Sequence, residues 1–269
     1  MTGFLIVNPR AGGAKRTDEL VAQAKARDVR VHLLEEGDDP AELARAADAD
    51  ALGVAGGDGS LAAIADVAIE RDVPFVCIPF GTRNHFARDL GLHRDDPLAA
   101  LGAFSGGEER RIDVGRANGR LFLNNVSLGL YAQLVHRRES HRRRSNAFAR
   151  LRAFAILLRH RTPIGITIDG QPVQTRVVLV SNNAYELDVL SIGKRERIDA
   201  GSLGLYVPRG LLRHAWIERT GKRFEIDAAS HRLHAAFDGD PEVVETPIEF
   251  TIEPAALRVL TPPRPVAED

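Results

Sequence analysis

The chain has 269 residues, 44% of them hydrophobic and 27% charged, an ordinary globular composition that excludes disorder and fibrous repeats and suits one large domain or two modest ones. The formal charge of −1 disfavours a polyanion binder, and the single cysteine, Cys77, allows no internal disulfide and no cysteine framework for zinc, which points to a reducing compartment. MTGFLIVNPR offers only a four-residue apolar run and nothing approaches the ~20 apolar residues of a spanning helix, so the chain is expected to be soluble, uncleaved and cytoplasmic.

Residues 1–115 alternate short apolar runs with segments of helical period, the pattern of parallel strands joined by crossover helices. Strands are expected at 4–7, 29–34, 51–55 and 74–79, and helices at 17–27, 40–47 and 60–71. Thr17 ahead of Asp18 and Glu19 reads as a helix start, its acids facing the positive end of the dipole. This half reads as doubly wound α/β. After Ile112-Asp113 the spacing shortens, and strands are expected at 121–126, 164–168, 173–181, 203–207, 223–227, 233–237 and 248–253. The turn signals Asn118-Gly119, Asp169-Gly170 and Asp238-Gly239 punctuate them and predict a mostly β second half. One helix interrupts it at 140–160, where Phe148, Leu151, Ala155 and Leu158 recur at helical spacing. Trp216 in LLRHAWIER reads as helix packing, and Cys77, inside an apolar strand, as buried and inert. His231 and His234 would face opposite sides of a strand, which makes them a poor metal pair.

Gly56-Gly57-Asp58-Gly59-Ser60 stands between an expected strand and an expected helix. A glycine-rich turn at a helix N-terminus directs backbone N–H groups to one point, which suits a phosphate. The glycines allow close approach and positive φ, and Ser60 can cap the helix or touch an oxygen. Asp58 beside phosphates needs a cation between them, and Mg2+ would resolve the repulsion; the plain alternative is a turn with an Asp cap. Two more loops, Asn8 to Lys15 and Pro79 to Asn84, end the first and fourth strands, so all three are expected to meet outside the carboxyl ends of the sheet. No Walker pattern is present. Gly57-x-Gly59-x-x-Ala62 fits a dinucleotide fingerprint, but it follows the third strand and lacks the acid expected about 20 residues on, which argues against hydride transfer. Late in the chain, Ala236-Phe237-Asp238-Gly239-Asp240 ends an apolar run in a carboxylate at a turn; alone this reads as a hairpin tip, and in a kinase the carboxylate could accept the proton of an attacking hydroxyl.

In combination and in order, from residue 4 to about 260, N-P-R-A-G-G, G-G-D-G-S, P-F-G-T-R-N-H-F-A and F-D-G-D resemble the diacylglycerol kinase catalytic-domain family, which includes sphingosine and ceramide kinases and bacterial lipid kinases. G-G-D-G also occurs in the related NAD kinases. The resemblance implies an ATP-binding α/β domain (1–115 plus about 255–265) and a β-sandwich-like lipid-substrate domain (116–254), with Leu257–Leu260 returning to the first. It implies that Asn8, Pro9, Gly12, Gly56, Gly57, Asp58, Gly59, Ser60 and Thr82 line the nucleotide phosphates, that Asp58 helps place Mg2+, and that Asp238 is the general base. Ser60 stands where threonine is usual, His85 where an acid is common, and Asp240 where glutamate is usual. Ile198-Asp199-Ala200-Gly201 lacks the acid beside glycine that marks a second Mg2+ loop in the family, so that site is not expected. The implied reaction transfers the γ-phosphate of ATP to a lipid hydroxyl in an interdomain cleft; the alternatives are phosphorylation of a soluble substrate such as NAD, or a non-catalytic nucleotide- or lipid-binding protein.

The net charge conceals one block. Residues 137–161 hold nine Arg and one Glu, a charge of +8 that leaves −9 for the rest of the chain. A basic amphipathic helix of this kind approaches anionic lipid, each cation adding ~1 kcal/mol, and would make the protein peripherally membrane-associated. The alternative is a solvated helix in a chain with 32 Arg against four Lys. With no Tyr or Trp in the block for base stacking, nucleic acid is not expected as a partner. A homodimer is compatible with the sequence.

Overall fold

The computed structural model describes residues 2–81, 84–129, 164–188, 191–208 and 216–263. Thr82, the expected helix at 140–160 with its arginines, and the end of the tail lie outside the described residues. The chain divides into two compact units, Met1–Val114 with Pro254–Asp269, and Gly115–Glu253.

In the first unit, β1 (Gly3–Val7), β2 (Val29–Leu33), β3 (Ala51–Gly56) and β4 (Phe75–Pro79) form a parallel sheet in the order β2-β1-β3-β4. β3 and β4 are buried along their whole length, as expected of apolar runs in a parallel sheet covered on both faces. The crossovers are α2 (Ala14–Lys25), α3 (Pro40–Ala46) and α4 (Leu61–Glu70), and three short helices, α1 (Pro9–Gly12), α5 (His85–Asp89) and α6 (Pro97–Ala100), complete the unit. α4 buries Leu61, Ile64, Ala65, Val67 and Ala68, a stripe of helical period. α3 begins where the Asp39 carboxylate accepts the N–H groups of Ala41 and Glu42, with Pro40 in the first helical position. The second helix does not start at Thr17: it begins three residues earlier, and the buried Thr17 hydroxyl donates back to the Gly13 carbonyl at 2.9 Å. The chain steps from β1 to β2 on one side and then returns past β1 to β3, so the topological switch point lies between β1 and β3.

The chain end returns to this unit. In β18 (Ile248–Thr261), Val259 and Leu260 lie parallel to Phe75 and Val76 of β4. Arg258 donates to both carboxylate oxygens of Glu109 at 2.8 Å, from Nε and Nη2, tying β18 to β5 (Glu108–Ala117).

The second unit is built from antiparallel strands. One sheet runs β14-β13-β10-β7-β16-β17, where β7 is Asn125–Gly129, β10 Val177–Asn182, β13 Leu203–Pro208, β14 Trp216–Gly221, β16 Arg232–Phe237 and β17 Asp240–Glu245. The other strands are β8 (Ile164–Ile168), β9 (Gln171–Thr175), β15 (Arg223–Ala228) with residues 248–251 of β18, and β6 (Arg120–Phe122) paired with residues 115–117 of β5. Val126, Val180, Leu205 and Phe237 from the first set share one core with Ile166, Phe224, Ile226 and Phe250 from the second, which is sandwich packing. β11 (Tyr185–Asp188) and β12 (Ser191–Arg195) form a separate two-stranded hairpin.

All three turn signals sit in two-residue hairpin loops with both φ values positive: 47° and 83° at Asn118-Gly119, 51° and 75° at Asp169-Gly170, 48° and 102° at Asp238-Gly239. Three expectations change. The run 173–181 is two strands, broken around Arg176 where the Thr175 hydroxyl donates to the Val177 carbonyl at 2.9 Å. The run 121–126 is also two, parting at Leu123 and Asn124. Trp216 is not in a helix: it opens β14, opposite Pro208 of β13.

Candidate active site

The loop after β1 is set by Asn8. Its N–H donates to the Ala55 carbonyl at 2.9 Å, and its side chain caps α1 by accepting the Arg10 N–H at 3.1 Å, with Pro9 in the first helical position. A Cβ on Gly12 would fall 2.2 Å from ring carbons of Phe80, a fully buried side chain in the loop after β4. A Cβ on Gly81 would fall 2.6 Å from the Gly57 Cα, in the loop after β3. The three loops therefore touch, and glycine is required at both contacts. Close approach, rather than a left-handed backbone, is what these glycines provide: in the three loops only Gly13 among the described glycines has a positive φ.

Asp58 is partly exposed, and its two carboxylate oxygens accept the N–H groups of His85 and Phe86, both at 3.1 Å. Those are the first two residues of α5, so one side chain ties the loop after β3 to the helix that follows β4. Gly57 precedes a 3₁₀ turn, Asp58–Ser60, that leads into α4. The Ser60 side chain makes no capping bond to α4, and its Cβ packs where a Cβ on Gly56 would lie, 2.9 Å away. Gly59 is exposed.

Sequence reasoning counted Asn84 in the loop after β4 but gave it no role among the site residues. It is buried and left-handed (φ 48°), its amide donates to the Gly81 carbonyl at 2.9 Å and the Arg94 carbonyl at 3.2 Å, and its Oδ1 accepts the Gly81 N–H at 3.0 Å. Asn tolerates that backbone better than most residues, which is the one local signal for its role. Cys77 is buried as expected; burial, with the nearby Asp58 charge, pushes its thiol far up and leaves it inert.

Among the described residues, no group of three His, Cys, Asp or Glu could hold a metal ion. Asp58 is the one carboxylate in these loops, a donor set that fits Mg2+ bound mainly by substrate phosphates and does not fit an all-protein cage. Asp199 is exposed and paired with Arg197, Nε to Oδ1 at 2.9 Å.

Asn8, Pro9, Gly12 and Gly56 to Ser60 thus converge at the strand ends of the first unit, flanking its switch point. Asp238 belongs to the second unit. It takes the first position of the β16–β17 loop, is partly exposed, and its N–H donates to the Asn125 carbonyl at 2.9 Å. Its Oδ2 accepts the Leu123 N–H at 2.8 Å, and its Oδ1 accepts those of Asn124 at 2.7 Å and Asn125 at 3.0 Å. These bonds hold Leu123 and Asn124 outside the ladder, at the break between β6 and β7, and reach Asn125, the first residue of β7.

Residues 2–117 match the diacylglycerol kinase catalytic domain. A diacylglycerol kinase of Bacillus subtilis (strain 168) is 35% identical over 89 residues, 32% of this chain and 29% of that protein. A protein of Pseudomonas fluorescens named "Probable lipid kinase YegS-like" is 28% identical over 283 residues, 91% of each chain. The chain spans under a third of the Bacillus subtilis relative and nine-tenths of the Pseudomonas one. Among solved structures, a diacylglycerol kinase from Bacillus anthracis str. Sterne shares the fold with a TM-score of 0.69 and 21% identity, over 98% of both chains. Among the described residues, no helix is long and apolar enough to cross a membrane.

Proposed function

We propose that this chain, whose residues 2–117 match the diacylglycerol kinase catalytic domain, is an ATP-dependent kinase that phosphorylates a hydroxyl of diacylglycerol or of a related lipid, such as a sphingoid base or another acylated glycerol. The observation that carries this reading is the contact of three loops at the switch point of the first sheet, close enough that only glycine fits. Backbone N–H groups so gathered can cradle the ATP phosphates, with Asn8, Pro9, Gly12, Gly56, Gly57, Gly59, Ser60 and Thr82 as the lining residues. Asp58 would hold Mg2+, which would supply positive charge against the negative charge that develops on the phosphates. Its bonds to His85 and Phe86 fix where that carboxylate points.

Asp238 would orient the lipid hydroxyl and accept its proton as the oxygen bonds to the γ-phosphorus and ADP leaves. Three N–H donors hold an acceptor-only carboxylate in one orientation, which suits a group that must meet a hydroxyl at a set angle. The β-rich unit would receive the lipid, and the +8 charge of residues 137–161 would bring the enzyme to an anionic membrane surface from the cytoplasmic side.

The test is incubation with γ-labelled ATP, Mg2+, and a panel of diacylglycerol, sphingoid bases, other acylated glycerols and NAD. Label is expected in an extractable phospholipid. Label in NAD instead would make the protein a soluble-substrate kinase, and ATP binding with no labelled product would make it a binding protein; either result overturns the proposal.

A further inference from the structure

The second unit contains a buried cation that the proposed chemistry does not use. Arg195, at the end of β12, is 6% exposed. Its Nη1 donates to the Leu123 carbonyl at 2.7 Å and the Asn182 carbonyl at 3.0 Å, and its Nη2 donates to the Asn124 Oδ1 at 3.2 Å. The Leu123 carbonyl also accepts the Asn182 side-chain amide at 3.0 Å. The same peptide group presents its other end, the Asn124 N–H, to Asp238 at 2.7 Å, the shortest of the three bonds that 123–125 make to that carboxylate.

We propose that Arg195 is a positioning residue for Asp238, acting through the Leu123–Asn124 peptide. A guanidinium on the carbonyl oxygen and a carboxylate on the N–H polarise one peptide in the same sense, so each bond strengthens the other. The planar fork of arginine reaches two carbonyls and a side-chain oxygen at once, which a point charge cannot do equally well. Asn182 completes the brace: its backbone N–H donates to the Asn124 carbonyl at 3.0 Å while its side chain meets Leu123. Segment 123–125 is thus fixed from behind by Arg195 and Asn182 and presents its three N–H groups to the carboxylate. Burying a guanidinium is costly unless it is well bonded, and an apolar side chain would fill the space at lower cost. The catalytic part of this inference rests on the reading of Asp238 as the base.

The test compares Arg195→Lys, which keeps the charge and loses the fork, Arg195→Gln, which loses the charge, and Asp238→Asn, all in the full chain. With γ-labelled ATP and diacylglycerol in mixed micelles, Arg195→Gln is expected to lower kcat about 10- to 100-fold with KM for ATP unchanged, the scale of a displaced reacting group. Arg195→Lys should fall about two- to fivefold, since lysine supplies the charge without the geometry. Amide hydrogen exchange, which needs no substrate, should show 123–125 losing protection in Arg195→Gln and losing less in Arg195→Lys. Equal losses in the two variants, wild-type kcat in Arg195→Gln, or unchanged protection of 123–125 would overturn the proposal. If Arg195→Gln does not fold, Arg195→Lys decides: wild-type kcat and wild-type exchange in that variant would equally overturn it. Full turnover in Asp238→Asn would instead remove the base reading, while the exchange data would still report whether Arg195 holds the peptide.

Discussion

Gly81→Ala tests the contact between loops on which the proposed nucleotide site depends. The added Cβ would sit 2.6 Å from the Gly57 Cα, 3.1 Å from the Gly57 nitrogen and 3.0 Å from the Asn84 Oδ1. Ordinary carbon contacts begin near 3.5 Å, so the two loops must part by about 1 Å. No flexible side-chain end is available to absorb this, because two of the three atoms are backbone and the third belongs to a buried amide bonded to Gly81 itself. Overpacking of this kind costs about 1–3 kcal/mol, and for a chain of this size roughly 2–4 °C of melting temperature per kcal/mol. The functional loss should be larger than the loss of stability suggests, because a displacement of about 1 Å in a phosphate-binding loop costs on the order of 100-fold in kcat/KM. The assay is steady-state turnover with γ-labelled ATP, alongside scanning fluorimetry to confirm that the variant is folded at the assay temperature. Gly165→Ala is the control: on an exposed strand position its Cβ would meet only the Gln174 Nε2, at 4.0 Å, and it should change neither readout. If Gly81→Ala keeps kcat/KM within about threefold of wild type, the loops are not held at the distance that phosphate binding requires, and the reasoning fails.

Other outcomes follow from the same geometry. Asp238→Asn should abolish turnover and spare ATP binding measured by calorimetry; it should also cost about 1–3 kcal/mol of stability, because an amide NH2 would face one of the N–H donors of 123–125. Near-normal turnover would exclude Asp238 as the base. Arg258 holds the Glu109 carboxyl below its ordinary range, chiefly by hydrogen bonding, while Asp38 is lowered by the Glu35 N–H and Asp50 by the Thr2 N–H. A depressed carboxylate stabilises the fold above its unfolded value, near pH 4, and that stability is lost as pH falls through the folded value. Melting temperature should therefore drop on acidification below about pH 4, and the penalty of Arg258→Gln, present at neutral pH, should shrink there and in high salt. An Arg258→Gln penalty independent of pH would contradict this. Co-sedimentation with anionic vesicles should weaken as salt rises if the arginines of 137–161 carry membrane attachment; retention undiminished by salt would refute an electrostatic cause.

The parts of the fold that were legible are those whose cause is local. β3 and β4 are buried on both faces, so their apolar runs identify them without reference to partners. The three hairpin tips are legible because Asn-Gly and Asp-Gly tolerate two consecutive positive φ values. β5 was missed because its first half, Glu108 to Arg111, reads as charged surface and only Ile112 to Gly115 is buried without a break. β14 was missed because it is the edge of its sheet, with three exposed residues in succession, so Trp216 carried no alternation to mark it. The break at Leu123 and Asn124 is held by Asp238, 115 and 114 residues away in sequence, and no local pattern records it. The same holds for Asp58, whose partners lie 27 and 28 residues on: the motif marks an important acid but not that its carboxylate joins two loops.

The two acids assigned to chemistry share one construction. Asp58 and Asp238 each sit in a loop at the end of a strand, and each binds backbone N–H groups of a segment distant in sequence: two for Asp58, three for Asp238. A carboxylate used this way is at once a chemical group and the fastener of the loop that positions it. Replacement by Asn removes the charge and places a donor against donors, so a lost activity has two causes of the same sign. Replacement by Glu separates them, because it keeps the charge and carries it one methylene away from the N–H groups. If the charge alone matters, Asp58→Glu should hold the metal and restore much of the rate. If the loop contact matters, Asp58→Glu should behave like Asp58→Asn in KM for ATP, and hydrogen exchange at His85 and Phe86 should quicken in both. The geometry favours the second result, since the bonds to His85 and Phe86 are what join the loop after β3 to α5.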